Sequence, residues 1–280
     1  MIQDIFPHEF SNAFENISIS ENSLVYHVFE NEIFLQVEKN TIQIPKFITT
    51  NSNARFLFKL DKVAYFFEEH SKEEKVILEK ENPNGKWIAR HALRHLEPKH
   101  LAFTATIALQ LANWYRNNHF CGRCGAEMKD SFQERMLECP ACHLQVFPKI
   151  SPAVIIGIYN QNKILLTKYR NGPTTNYALV AGFCEIGETL EETVKREVLE
   201  EVGLQVKNIT YYKSQPWPFT DTLLAGFFCE LDGNEKITLE ENELSLAKWF
   251  SRDEIPVEEN SISLTNEMIH YFKRNPDSFL

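Results

Sequence analysis

Glycine and proline are scarce in this 280-residue sequence, at ten and twelve residues, which excludes collagen-like and low-complexity chains. Long apolar runs are missing: none approaches the roughly 20 residues that cross a bilayer as a helix. The first residues, MIQDIFPHEF, have neither a basic leader nor an apolar core, so no secretory signal is read there. Positive charge is also in short supply. The 29 lysines and arginines face 39 aspartates and glutamates, a net charge of −10. That balance disfavours broad binding to a phosphate backbone and suits sites that hold divalent cations. What is present, 43% hydrophobic and 24% charged residues, is ordinary for a globular protein. These features predict a soluble cytoplasmic protein with no membrane partner, long enough for one large domain or two.

Only six cysteines occur, yet four are regularly spaced: Cys121, Cys124, Cys139 and Cys142 form C-x2-C-x14-C-x2-C. Without an export signal, disulfides are not expected. Two C-x2-C turns instead have the reach of a tetrahedral zinc site. Gly122 and Gly125 free the first turn, and Pro140 restricts the second. Four thiolates close the shell, so this Zn²⁺ is expected to be structural. His143 stands beside Cys142 as a competing ligand. Cys184 and Cys229 read as small core residues.

Before Leu96, the segments VYHVFE, EIFLQVE, RFLFKL, VAYFFEE and KVILEK read as strands, and no catalytic constellation appears among them. Pro98 opens a helix from Lys99 to Asn117, apolar at Leu101, Ile107, Leu111, Trp114 and Tyr115. From Ser151 the strands PAVIIGIY, KILLTKY, TNYALVAGF, NITYYKSQPW, DTLLAGFFCEL and LAKWFS share the chain with the helices LEETVKREVLEEVG and EMIHYFKR. The expected class is α/β (α+β). An N-terminal β-rich domain with its connecting helix is expected at 1–118, a four-cysteine ribbon at 119–148, and a mixed sheet with two helices at 149–280.

The segment GFCEIGETLEETVKREVLEEVGL, 182–204, carries most of the chemistry. Thr189 followed by Glu192 is a capping box, and Gly203 is placed to end the helix in a left-handed conformation. Val194, Val198 and Val202 recur every four residues as a buried stripe. Glu197 and Glu201 share the neighbouring stripe, with Glu200 beside them. A glutamate-rich helix is commonly just a solvated face. Like charges four apart nevertheless cost a few tenths of a kcal/mol, and carboxylates gathered beside an apolar stripe suit a divalent cation such as Mg²⁺. Arg196 could orient one carboxylate through a bidentate pair.

These residues resemble the Nudix box, G-x5-E-x7-R-E-U-x-E-E-x-G-U with U a bulky aliphatic. Gly182, Glu188, Arg196, Glu197, Val198, Glu200, Glu201, Gly203 and Leu204 fill every defined position. Downstream, SQPWPFT at 214–220 resembles the SQPWPFP that NADH pyrophosphatases carry, followed by x-S. That family also places a four-cysteine ribbon before its Nudix domain. The resemblance is specific over about 120–280 and rests on position alone before that. Thr220 replaces the last proline, which is expected to loosen the loop, and Thr222 stands for the usual serine.

The resemblance implies a Nudix α/β/α sandwich and metal-dependent hydrolysis of the diphosphate of NAD(H) to nicotinamide mononucleotide and AMP. It implies Glu197, Glu200 and Glu201, with Arg196, as the catalytic group. Glu197, Glu200, Glu201, Glu243 and the Ala181 carbonyl would hold Mg²⁺ or Mn²⁺. Glu188 would brace the loop. Which carboxylate acts as general base is left open. The dinucleotide would lie against Phe147, Gln215, Pro216, Trp217, Pro218, Phe219, Thr220, Asp221, Thr222 and Thr265, with Gln215 reading a polar edge. Loop packing is the bland alternative for that aromatic stretch. Arg90 or Arg94 could reach a phosphate. A homodimer is expected from the family. Two other functions compete: removal of NAD caps from RNA 5′ ends, and a non-catalytic ribbon module beside an inactive Nudix domain, which the intact carboxylates oppose.

Overall fold

The computed structural model describes residues 1–20, 23–45, 54–170, 177–260 and 262–279. It divides into two compact units, Ile2–Lys149 and Ile150–Leu280, with Met1 grouped in the second. Among the described residues no helix is long and apolar enough to cross a membrane.

The first unit holds β1 (Phe10–Ser11), β2 (Leu24–Phe29), β3 (Glu32–Glu38), β4 (Thr41–Gln43), β5 (Arg55–Leu60), β6 (Val63–Glu69), α1 (Lys72–Glu81), β7 (Gly85–Ala89) and α2 (Lys99–Asn117). Among the described residues its sheet runs β1-β5-β6-β2-β3-β4, with β7 on β3. Helix α2 is buried on every side from Ala102 to Leu109, and the Tyr26 and Thr104 hydroxyls meet at 2.8 Å. The ribbon adds three two-residue strands, β8 (Lys129–Asp130), β9 (Leu137–Glu138) and β10 (Gln145–Val146). It belongs to the same compact unit as the β-rich region. Arg55 pairs with Asp130 at 3.1 Å, and the Arg135 guanidinium donates to the Leu57 carbonyl.

One element differs from the sequence expectation. KVILEK is not a strand but part of α1. Ser71 accepts from the Glu74 N–H at 3.2 Å while the Glu74 carboxylate accepts from the Ser71 N–H at 2.6 Å, a capping box that starts a helix. Val76 and Ile77 stay 45% and 53% exposed. The short apolar run therefore marks neither a core strand nor a core helix.

The second unit holds β11 (Ser151–Asn160), β12 (Lys163–Tyr169), β13 (Val180–Phe183), α3 (Leu190–Val202), β14 (Val206–Trp217), β15 (Thr222–Leu231), β16 (Leu244–Ser251) and α4 (Leu264–Arg274). Of the strand read as TNYALVAGF, Thr175 and Asn176 lie outside the described residues. The sheet order is β14-β15-β11-β12-β16, with β13 on β11. Strands β11 and β15 run parallel and the other pairs antiparallel, so the sheet is mixed.

Alternation along β11 sorts the two cores. Val154, Ile156 and Ile158 pack with Val194, Val198 and Val202 of α3. Ile155 packs with Leu264, Met268 and Phe272 of α4. A strand buried on both faces reads as a continuous apolar run, as PAVIIGIY does. The result is an α/β/α sandwich.

Candidate active site

Helix α3 lies against β13 as its sequence requires. Thr189 and Glu192 form the reciprocal cap, Gly203 ends the helix at φ +67°, and the three valines are fully buried. The neighbouring stripe then turns Glu197 and Glu201 toward β13. Gly182 makes that approach possible. A Cβ there would fall 1.9–2.2 Å from the Glu197 carboxylate, well inside contact distance.

Arg196 locks the loop before α3 to the helix. Its Nε and Nη2 reach the two oxygens of Glu188 at 2.6 and 2.9 Å, a bidentate pair. Glu188 also accepts from the Glu185 N–H and the Thr193 hydroxyl. The Arg196 hydrogen bonds, more than any other contact, draw the Glu188 carboxyl down to about 2. Arg196 Nη1 then reaches Glu197 at 2.7 Å and the half-exposed Glu200 at 3.0 Å. Nη2 donates to the Phe183 carbonyl at 2.9 Å. One guanidinium thus spans three carboxylates and the end of β13.

Glu201 is the electrostatic extreme of the site. It is 2% exposed, and among the described residues its Oε2 has no hydrogen-bond partner. Burial, then the charges of Glu197 and Glu243, push its carboxyl up to about 8, opposed by an Ala181 N–H that donates to it. Because a residue's N–H and C=O leave a strand on the same side, the Ala181 carbonyl faces the same carboxylates. Burial also raises Glu197, against the pull of Arg196. Glu243 arrives from the turn before β16. The Glu240 N–H donates to the Glu201 carbonyl at 2.9 Å and the Arg170 N–H to that of Glu243 at 2.8 Å, which pins this turn to α3 and β12.

Sequence reasoning passed over Tyr169, the last residue of β12. Its phenol is raised by burial and by the charges of Glu201, Glu243 and Glu197, so it faces the same cluster. Register is the reason: Tyr169 opposes Leu244, one residue past Glu243.

An orphaned buried carboxylate oxygen, a backbone carbonyl and two further carboxylates suit a hard divalent cation. Among the described residues, no three of these acidic ligand atoms lie within 4.8 Å of one another. Arg196 supplies the positive charge that draws Glu197 and Glu200 to itself. The cysteines are gathered more tightly. Cys121 and Cys142 Sγ lie 3.6 Å apart, and Cys124 and Cys139 Sγ 3.5 Å apart, near the roughly 3.8 Å edge of a tetrahedron with 2.3 Å Zn–S bonds. Backbone N–H groups of Arg123 and Cys124 draw the Cys121 thiol down to about 6. His143 is 79% exposed and turns to Glu138 instead.

The hairpin between β14 and β15 departs from expectation at two points. Gln215 is fully buried. Its amide donates to the Ile262 carbonyl at 2.9 Å and accepts from the Leu264 N–H at 2.7 Å. It braces the start of α4 rather than reading the edge of a base. Thr220 does not loosen the loop either. Its N–H donates to the Trp217 carbonyl at 3.3 Å, and its hydroxyl meets that of Thr222 at 2.8 Å. The Thr222 hydroxyl also donates to the Thr220 carbonyl at 3.0 Å. These bonds hold the turn that a proline ring would otherwise restrict.

Trp217 and Phe219 meet at 4.8 Å between ring centroids, with their planes tilted by 60°. Pro216 and Thr220 are exposed, Pro218 and Thr222 buried, and Asp221 and Thr265 half-buried. Asp221 closes the turn at φ +56°. In the other unit, Phe147 is 51% exposed at the end of the ribbon. Arg90 is buried, and Arg94 donates from Nε to the His91 carbonyl.

Gly182 and Glu201 each give this geometry a measurable consequence. Gly182→Ala should lower kcat at least tenfold with little change in Tm. The added methyl displaces only the far end of a flexible side chain, but that end is the Glu197 carboxylate. Equal losses of kcat and Tm would point to a folding defect instead. The second concerns pH. Glu201 holds its proton to about 8, whereas an unfolded glutamate releases it near about 4.3. The folded state binds more protons between those values. Stability present below the lower value is therefore lost as pH rises through the upper one. In buffer depleted of Mg²⁺ and Mn²⁺, Tm should fall between about pH 5 and about pH 8.5, and Glu201→Gln should flatten the slope. Added Mg²⁺ should restore more Tm at the higher pH. An equal response at both would reject the assignment.

Two family models match separate parts of the chain. A family model described as the NUDIX domain matches residues 149–272. One described as the NADH pyrophosphatase zinc ribbon domain matches residues 116–147. The NAD-capped RNA hydrolase NudC of Escherichia coli strain SMS-3-5 / SECEC is 43% identical over 152 residues, 53% of this chain and 58% of that protein. The protein of the same name from Escherichia coli O81 (strain ED1a) matches to the same extent. The chain spans somewhat more than half the length of these curated relatives. Among solved structures, a NUDIX hydrolase from Nitrosomonas europaea overlays with a TM-score of 0.48 at 25% identity, over 55% of this chain and 90% of that one.

Proposed function

We propose that this chain, which carries a Nudix domain behind an NADH pyrophosphatase zinc ribbon, hydrolyses the diphosphate bond of NAD(H) to nicotinamide mononucleotide and AMP. The observation that carries the reading is Glu201, buried, raised by burial and by the charges of Glu197 and Glu243, and accepting from the Ala181 N–H. Such a carboxylate is costly without a cation, so it is poor as structure and useful as a site.

A diphosphate resists attack because its own charge repels nucleophiles. Bound Mg²⁺ or Mn²⁺ would neutralise that charge and make water a better nucleophile. The chain's residues set the rest. Arg196, anchored by Glu188, holds Glu197 and Glu200 together and so fixes where negative charge can gather. Gly182 keeps the floor open. Trp217 and Phe219 offer apolar faces suited to a nicotinamide or adenine ring. Glu197, Glu200 and Glu201 are each assigned to the metal and proton chemistry.

The relatives' name supports a second reading, hydrolysis of NAD caps on RNA. The net charge of −10 suits recognition of a 5′ end better than of a long RNA tract. Cleavage of NADH, NAD⁺, ADP-ribose, diadenosine polyphosphates and NAD-capped RNA at equal concentration, across salt, separates the two. A steep fall of the RNA reaction with salt, at unchanged NADH hydrolysis, favours the free dinucleotide. No turnover of any of them with Mg²⁺ or Mn²⁺ would reject both. The same reading puts the protein in the cytoplasm, where thiolates stay reduced, and makes it a homodimer, which light scattering checks.

A further inference from the structure

A second group of metal-ligating side chains lies in the β-rich region, outside the ribbon. His27 sits on β2 and Glu68 on β6, and the parallel ladder pairs these two residues directly. His70 follows β6, and its N–H donates to the Val28 carbonyl at 2.9 Å. That bond folds the His70 ring back over the face that His27 and Glu68 share. His27 Nδ1 and His70 Nε2 are 2.8 Å apart. Glu68 Oε2 is 3.7 Å from the first and 3.9 Å from the second. His27 and Glu68 are 1% and 4% exposed, and the His70 side chain is 10% exposed.

Those three separations define a point equidistant from the two nitrogens and the oxygen, at about 2.1 Å from each. Bonds from zinc to imidazole nitrogen and carboxylate oxygen run roughly 2.0–2.2 Å. We propose that His27, Glu68 and His70 form a second metal site in this protein, one that takes a divalent transition-metal ion of the zinc class. The donor set decides the class: two imidazoles and one carboxylate suit Zn²⁺, Co²⁺ or Ni²⁺, whereas Mg²⁺ and Ca²⁺ favour oxygen alone.

The surroundings fit a ligand sphere. The Glu74 carboxylate faces the other ring nitrogen of His70, Nδ1, at 3.9 Å. That oxygen also accepts from the Ser71 N–H at 2.6 Å, so it places a fixed negative charge beside the ring. The Ser71 cap fixes the chain direction immediately after His70. Three protein ligands leave a fourth position. An ion there ties β2 to the end of β6 and the start of α1.

Zinc content of the full-length protein tests this directly. Wild type, His70→Ala and Glu68→Gln are loaded with Zn²⁺ in excess Mg²⁺, which occupies the carboxylate site, then dialysed and measured by elemental mass spectrometry. Circular dichroism reports folding. The wild type should retain two zinc ions per chain and each folded variant one, with zinc affinity at the lost site down at least about a hundredfold, since even outer-sphere changes cost about 10- to 100-fold. Protein produced with Co²⁺ gives a second readout that needs no variant. Thiolate-bound cobalt shows intense sulfur charge-transfer absorption, and a nitrogen–oxygen site adds a second equivalent without it. One ion per chain in the wild type, or two that persist in both folded variants, would overturn the proposal.

Discussion

Glu201→Gln and Glu197→Gln should each lower kcat for NADH by roughly 100- to 1,000-fold at saturating Mg²⁺. Glutamine keeps the volume and removes the formal charge. The two variants should differ in stability, and that difference makes the test informative. Glu201 is 2% exposed, with one oxygen unpartnered among the described residues. A neutral amide is less costly to bury there than a carboxylate. Glu201→Gln should therefore hold or raise Tm in Mg²⁺-depleted buffer at alkaline pH while activity collapses. Glu197 is different, because its carboxylate accepts a 2.7 Å bond from Arg196. Replacing it should cost about 1 kcal/mol, given partial solvent screening of that pair. An active site whose loss stabilises the protein is expected where like charges are held together for a cation. Near-normal kcat in both variants would remove Glu197 and Glu201 from the chemistry.

Some of this site was legible in the sequence because its geometry is local. A capping box, a four-residue apolar spacing and a terminal glycine specify α3 with no knowledge of the rest of the chain, and the carboxylate stripe follows from helical periodicity alone. The bidentate hold of Arg196 on Glu188 spans eight residues and was legible only in part. Other features depend on contacts between distant segments. The amide of Gln215 is spent on residues 47 and 49 positions away, and nothing near SQPWPFT announces it. The value of Gly182 lies in what its missing side chain leaves room for. Tyr169 joins the cluster through the register of β12 against β16. KVILEK failed for another reason. A short apolar run does not distinguish strand from helix, and the Ser71–Glu74 cap that decides it stood just upstream. The cluster of His27, Glu68 and His70 needed the parallel pairing of β2 with β6, which no local pattern reveals.

Cys139→Ser should act in the opposite sense to the carboxylate variants, on folding first. Among the described residues the ribbon contains three strands of two residues each. That is too little sheet to be stable in water by itself. Cys139 is fully buried, and its sulfur lies 3.5 Å from that of Cys124. Structural zinc in small peptides contributes about 10–16 kcal/mol of apparent binding energy near neutral pH, and for such folds this is folding energy. Removing one thiolate forfeits much of it and leaves three sulfurs competing for protons. The damage should spread beyond the ribbon, because Asp130 pairs with Arg55 and Arg135 donates to Leu57 of the neighbouring sheet. We expect Cys139→Ser to lose one zinc equivalent, lower Tm by about 10 °C or more and expose the chain to proteolysis between residues 119 and 148. Cys184→Ser is the matched control, since Cys184 lies outside the four-sulfur cluster, and it should change none of these. A Cys139→Ser protein with full zinc content and unchanged Tm would show that the four cysteines do not act as one site.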